Sequence, residues 1–155
     1  MMIGEINATT NNISSTTTIT NSNNNNNSSL KNNNKKRILI VDDEPDIIIV
    51  FKMVLEMNGF EVDTYDNALA ALDNFKPNSY GLLLLDIRMP QMNGFDLYKK
   101  LRTVDDKVKV CFITAYEDYR KEFKESFPEL DEVKYFIRKP TAIEDLVNHV
   151  SAILG

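Results

Sequence analysis

The chain carries a single cysteine, Cys111, and a single histidine, His149. One thiol excludes an internal disulfide, and the apolar setting VKVCFIT fits a core thiol in a reducing compartment. A lone histidine with no second His or Cys nearby does not make a metal site, so His149 is expected as a surface or partly packed residue. No run of about 18 apolar residues occurs, so no membrane span is expected. The N-terminus also lacks the basic and apolar regions of a signal peptide, which points to a cytoplasmic protein. The sequons NAT (7 to 9) and NIS (12 to 14) are then products of composition, because glycosylation needs a secreted chain. Clustered Lys and Arg are scarce as well. The one basic cluster, KKR at 35 to 37, precedes a strand pattern and reads as its solvated approach. With a net charge of -5, direct contact with nucleic acid is not expected.

What is abundant is asparagine, and it is concentrated at one end. Residues 1 to 34 hold twelve Asn, five Ser and six Thr without one aromatic residue, too little apolar surface to offset the entropy of ordering. This stretch is expected to be a disordered polar tail. Its only charged side chains are Glu5 and Lys31, so the acidic balance belongs to residues 35 to 155, a length that suits one domain with one core.

Within that domain, short β-type runs alternate with helical patterns. The runs are RILIVD (37 to 42), FEVDTYD (60 to 66), YGLLLLD (80 to 86), VKVCFIT (108 to 114) and VKYFIR (133 to 138). Between the first two, Ile47, Val50, Phe51, Val54 and Leu55 recur at i, i+3, i+4, i+7 and i+8, an amphipathic helical stripe, with Pro45 placed for a first turn and Gly59 for a stop. Segments 67 to 76, 94 to 104, 117 to 127 and 142 to 154 complete five helices. Five strands alternating with five helices give a doubly wound α/β domain, a five-stranded parallel sheet covered on both faces. Ligands in such sheets bind beyond the carboxyl ends of the strands, where strand order reverses.

Those ends are polar. Asp42 and Asp43 close the first run, Asp86 closes the third directly after LLLL, Thr114 closes the fourth, and Lys139 follows the fifth. Each has a structural use: the aspartates as helix caps or turn formers, Thr114 as a cap, Lys139 as an exposed cation. Their joint placement at strand ends favours a site. Three carboxylates at one rim repel one another, and a hard cation such as Mg²⁺ relieves the repulsion through oxygen ligands. A metal of that kind serves phosphoryl transfer, in which one carboxylate can be the nucleophile.

The set VDDEP, LLLLDIRMPQMNGFDL, FITAY and RKP, in this order, resembles the receiver domain of two-component response regulators, the CheY-like form of the flavodoxin-like fold, over about 37 to 154. The resemblance implies that Asp86 is the phosphoacceptor, taking its phosphoryl group from a phosphohistidine on a sensor histidine kinase or phosphotransfer protein. It implies Mg²⁺ ligation by Asp43, Asp86 and the backbone carbonyl of Arg88, with Asp42 acting indirectly through water. Lys139 would pair with the acids and then the phosphate, Thr114 and Phe136 would be the switch pair, and Pro140 would follow a cis peptide bond. Met89, Pro90 and Gly94 match the loop beyond the acceptor, and Arg88 and Tyr116 stand where the family tunes acyl-phosphate lifetime. Such a domain signals rather than acting as an enzyme on other substrates. With no effector pattern before Gly155, output is expected through a partner protein, and direct binding to nucleic acid or membrane is not.

The sequence departs from the family between helix 117 to 127 and the fifth strand. KESFPELDEV (124 to 133) stands where a short Gly-Ala turn is usual, so Thr114 and Lys139 are further apart than expected, beside the face many receivers use for docking. Tyr119, Phe123 and Phe127 form a stripe in the same region that reads as core. Tyr135, by strand alternation, is expected to be exposed. Three other readings compete. A flavin-type cofactor binder needs a Ser, Thr or Gly-rich loop after the first strand, and DDEPD stands there. An aspartyl phosphatase needs an acid two residues past its nucleophile, where this chain has Arg88. A pseudo-receiver that binds partners without phosphorylation would not require the complete polar set.

Overall fold

The computed structural model describes residues 36–155, and the expected tail of residues 1 to 34 lies outside them. Five strands, β1 (Arg37–Val41), β2 (Glu61–Tyr65), β3 (Leu82–Asp86), β4 (Lys109–Thr114) and β5 (Phe136–Arg138), form one sheet in the order β2-β1-β3-β4-β5, with every pairing parallel. Six helices cover it among the described residues: α1 (Pro45–Met57), α2 (Ala68–Asn74), α3 (Gly94–Val104), α4 (Tyr119–Ser126), α5 (Glu132–Tyr135) and α6 (Ile143–Leu154). The doubly wound parallel architecture is the expected one, with one helix more.

The four leucines of β3 show why the sheet is covered twice. Leu83 and Leu85 enter a core with the side chains of α2, α3 and α4, whereas Leu82 and Leu84 enter a second core under α1 and α6, and all four are fully buried. A central parallel strand buried on both faces reads as a continuous apolar run for this reason. The first core is aromatic. Phe95, Phe112, Phe123 and Phe127 meet at ring separations of 4.8 to 6.4 Å, so the Phe123 and Phe127 stripe is core as expected, with Tyr119 packed at its edge. The second core is mainly aliphatic, with Phe51 its one buried ring, and includes Cys111, whose thiol is pushed up by complete burial.

In α1, Phe51, Val54 and Leu55 are buried and Ile47 packs beside them, but Val50 is 39% exposed. Val50 instead joins Ile49, Met53 and Met57 on an outward apolar face.

The additional helix corrects the expected fifth strand. Residues 133 to 135 carry an alternating pattern, yet the Asp131 carboxylate accepts from the Val133 N–H at 2.9 Å and the Asp131 carbonyl accepts from the Lys134 and Tyr135 N–H groups at 3.1 and 2.9 Å. This local capping closes a helical turn and leaves only Phe136–Arg138 as strand. Tyr135 consequently does not alternate outward: it is half-buried and packs against both cores. Among the described residues no helix is long and apolar enough to cross a membrane.

Candidate functional site

Strand register brings the polar ends together. Val41 pairs with Leu85, so Asp42 and Asp86 follow side by side where the strand order reverses between β1 and β3. Asp86 pairs with Ile113 and Thr114 with Arg138, which sets Thr114 and Lys139 one step beyond on the same rim. The Lys139 N–H donates to the Thr114 carbonyl at 2.7 Å, and the Lys139–Pro140 peptide is cis, as the resemblance implied. The loop after β3 is seated by Gly94: its N–H donates to the Ile87 carbonyl at 2.8 Å, and a Cβ there would lie 2.3 Å from the Asp86 carbonyl oxygen.

Burial separates this rim from an ordinary polar surface. Among the described residues the buried polar side chains are Asp42, Asp86, Thr114, Lys139 and Asp105, and of these only Asp105, which accepts from the Asn78 and Lys107 N–H groups, lies elsewhere. Ligand oxygens of Asp42, Asp43 and Asp86 all lie within 4.8 Å of one another, with Asp43 exposed above two buried partners. Lys139 is the counter-charge. Its Nζ donates to Asp42 Oδ2 at 2.6 Å and Glu44 Oε1 at 3.0 Å and stands 3.8 Å from Asp86 Oδ1. Asp42 also accepts from the Glu44 N–H at 2.9 Å, a turn-forming use that coexists with its place in the cluster.

The electrostatics follow from that packing. Burial, reinforced by the charge of Asp42 and only partly offset by Lys139, pushes the Asp86 carboxyl up to about 7. Asp42 is raised by burial too, against the opposing bond from Lys139. Lys139 is pulled down by burial but raised overall by its bond to Asp42 and the charges of Asp86 and Asp42. Asp86 is therefore a carboxyl group whose protonation is balanced near neutrality, and a cation that enters the cluster competes with that proton. Three convergent carboxylates with an exposed member form a hard oxygen donor set consistent with Mg²⁺.

The cavity above Asp86 is lined by Asp43, Glu44, Arg88, Ala115, Tyr116 and Lys139. The Arg88 guanidinium lies over the Tyr116 ring, 4.5 Å from its centre, so the two residues form one wall. Thr114 is buried beneath it and does not cap a helix: its Oγ1 accepts from the Tyr116 N–H at 3.2 Å. Phe136 is buried too, edge-on against Phe123 with ring centres 5.5 Å apart. His149 binds two backbone carbonyls, those of Asp145 and Val133, consistent with a partly packed residue. Sequence reasoning assigned no role to Glu44 or Glu117. Glu44 is a second acceptor for Lys139, and Glu117 pairs with Arg138 next to the Tyr116 wall. Glu44 adjoins Asp42 and Asp43, and that run of three acids was its one signal.

Comparison with known proteins agrees with this geometry. The family model described as the response regulator receiver domain matches residues 38–151. The response regulator receiver protein CpdR of Brucella abortus is 31% identical over 100 residues, covering 64% of this chain and 81% of that protein. Longer relatives are matched only in part: the transcriptional regulatory protein RprY of Bacteroides fragilis is 28% identical over 109 residues, which span 68% of this chain but 44% of RprY. Among solved structures, the response regulator TrrA of Thermotoga maritima in complex with Mg²⁺-BeF is 32% identical with a TM-score of 0.65, covering 76% of this chain and 98% of that one. TrrA in complex with the histidine kinase ThkA gives 34% and 0.66, over 77% and 99%.

Proposed function

This chain belongs to the response regulator receiver family, the signalling domains of two-component systems, and from that premise we propose that it accepts a phosphoryl group on Asp86 from a phosphohistidine of a sensor histidine kinase or phosphotransfer protein. The observation that carries the proposal is the setting of Asp86, buried and raised to about 7, against Asp42, Asp43 and Lys139. An Asp86 carboxylate oxygen attacks phosphorus, the new P–O bond forms as the P–N bond breaks, and the departing imidazole nitrogen keeps the electron pair. Mg²⁺, held by Asp43, Asp86 and the Arg88 backbone carbonyl with Asp42 acting through water, would supply the positive charge that offsets the carboxylates and the phosphoryl oxygens. That TrrA was solved both with Mg²⁺-BeF and with a histidine kinase supports carrying the metal and the partner class to this chain.

The remaining residues then take definite tasks. Lys139 already touches three acids and can turn its ammonium to a phosphoryl oxygen with little movement. The Thr114 hydroxyl accepts from Tyr116 N–H, which leaves its own proton free to donate to the phosphoryl group, and Phe136 is the aromatic partner of that switch. The Arg88 and Tyr116 wall limits water access and so sets the lifetime of the acyl phosphate. On the turns of α1 that lead away from the rim, Ile49 and Met53 present an exposed apolar surface on which the donor protein can sit. The output is switched binding of a downstream protein.

Incubation with Mg²⁺ and a small phosphodonor such as acetyl phosphate should give a hydroxylamine-labile acyl phosphate, and Asp86→Asn should abolish it. A labelled product that survives that substitution, or a wild-type protein that takes no label, refutes the assignment and leaves the phosphate-independent pseudo-receiver.

A further inference from the structure

Outside the acceptor rim, one contact has chemistry that its secondary structure does not explain. His149, on α6, presents both ring nitrogens to backbone carbonyls: Nδ1 lies 2.9 Å from the Asp145 oxygen one turn back, and Nε2 lies 3.2 Å from the Val133 oxygen on α5. A carbonyl oxygen only accepts. A neutral imidazole carries one N–H, so in either tautomer one of its nitrogens faces a carbonyl lone pair to lone pair, whereas the imidazolium donates to both. The contact is complete only in the charged ring.

We propose that His149 is a pH-operated clasp that fastens the single-turn helix α5 to α6 when its ring is doubly protonated and loosens it when the ring is neutral. Histidine is suited to this because its ordinary titration falls between about pH 5 and 8. The clasp matters because α5 runs directly into Phe136 and β5, the strand that ends at the rim beside Lys139.

Charged groups come from each element packed around α6, and from β4 the Lys109 ammonium donates to the Ile153 carbonyl of α6 at 2.8 Å. From α5 come Glu132, which binds Arg120 and Lys124, and Lys134, whose ammonium sits over the Tyr135 ring. Asp131 caps α5 through its carboxylate. On α6 itself are Glu144 and Asp145, on α1 are Asp46, Lys52 and Glu56, of which the last two pair with each other, and on β3 is Asp86 at the rim. The Asp86 carboxyl is pushed up to about 7, so wild type must be compared with His149→Gln, which cannot titrate at 149.

The test is amide hydrogen exchange at Lys134 and Tyr135, the α5 amides bonded to Asp131, corrected for intrinsic pH dependence. Protection should rise about fivefold from pH 8 to pH 5.5 in wild type, the size of one ordinary hydrogen bond, and should stay flat in His149→Gln. The same rise in both proteins, or no rise in wild type, overturns the proposal. Ring ¹⁵N NMR of the wild type gives a reading independent of the variant. Two hydrogen-bonded N–H groups at pH 5.5 support the clasp, and only one refutes it.

Discussion

The rim around Asp86 and the connection between α4 and β5 are both rich in charge, and the charges are held in opposite ways. At the rim, Lys139 and Asp42 meet at 2.6 Å with side chains 9% and 1% exposed, in surroundings where an unpaired charge is expensive. In the connection, Arg120 and Lys124 reach Glu132 from side chains 54% and 65% exposed, and Arg102 reaches Glu129 across a similarly open surface. Pairs of the second kind are each worth under about 1 kcal/mol. What holds the connection is the ring cluster beneath it, where Phe127 packs on Phe95, Tyr98, Phe112 and Phe123. Burial makes charge at the rim consequential, and exposure leaves the connection free to vary in length and sequence.

Two substitutions should show the largest effects and sharpen this contrast. Lys139→Met strips the buried acids of their counter-charge and should cost about 3–5 kcal/mol in chemical denaturation without metal. Phe127→Ala should cost about 3–5 kcal/mol in the same measurement, because the connection relies on that ring.

A smaller effect comes from Asp86. Its folded carboxyl titrates at about 7 against an ordinary 3.8, so the fold favours the protonated acid: that contribution is full below pH 3.8 and is lost as pH rises through about 7. If Asp86 ligates Mg²⁺ as proposed, the ion displaces the same proton, and its affinity by titration calorimetry should be roughly tenfold weaker at pH 6 than at pH 8. An affinity flat across that range would mean that the carboxylates do not share a proton-metal competition. The smallest effect belongs to Glu132→Ala, which should destabilise by less than about 1 kcal/mol. A loss there equal to that of Phe127→Ala would erase the distinction between the two regions.

The sheet was legible because its signals are long and redundant. Four consecutive leucines before an aspartate, set among other short β-type runs, fit a strand covered on both sides, and that strand fixes where Asp86 emerges. The placement of Asp42, Asp86 and Lys139 at strand ends was legible from the alternating pattern, but their meeting at one point was legible only through resemblance, since 97 residues separate Asp42 from Lys139. Two features escaped for a different reason. At 133 to 135 a two-residue alternation and an Asp131 cap pointed to different structures, and the cap prevailed because it satisfies backbone donors at once. Val50 fitted the helical stripe but sits at its edge, where a small rotation of α1 decides its exposure.

Gly94 carries no functional group, yet no other side chain fits where it stands, with 2.3 Å between the site of a Cβ and the Asp86 carbonyl oxygen. Even a single methyl group there must either shift the Asp86 peptide or lift the first turn of α3 from its seat. Position 94 therefore tolerates replacement as poorly as a reacting residue, and a survey of random variants would rank it among the chemical groups for a purely steric reason.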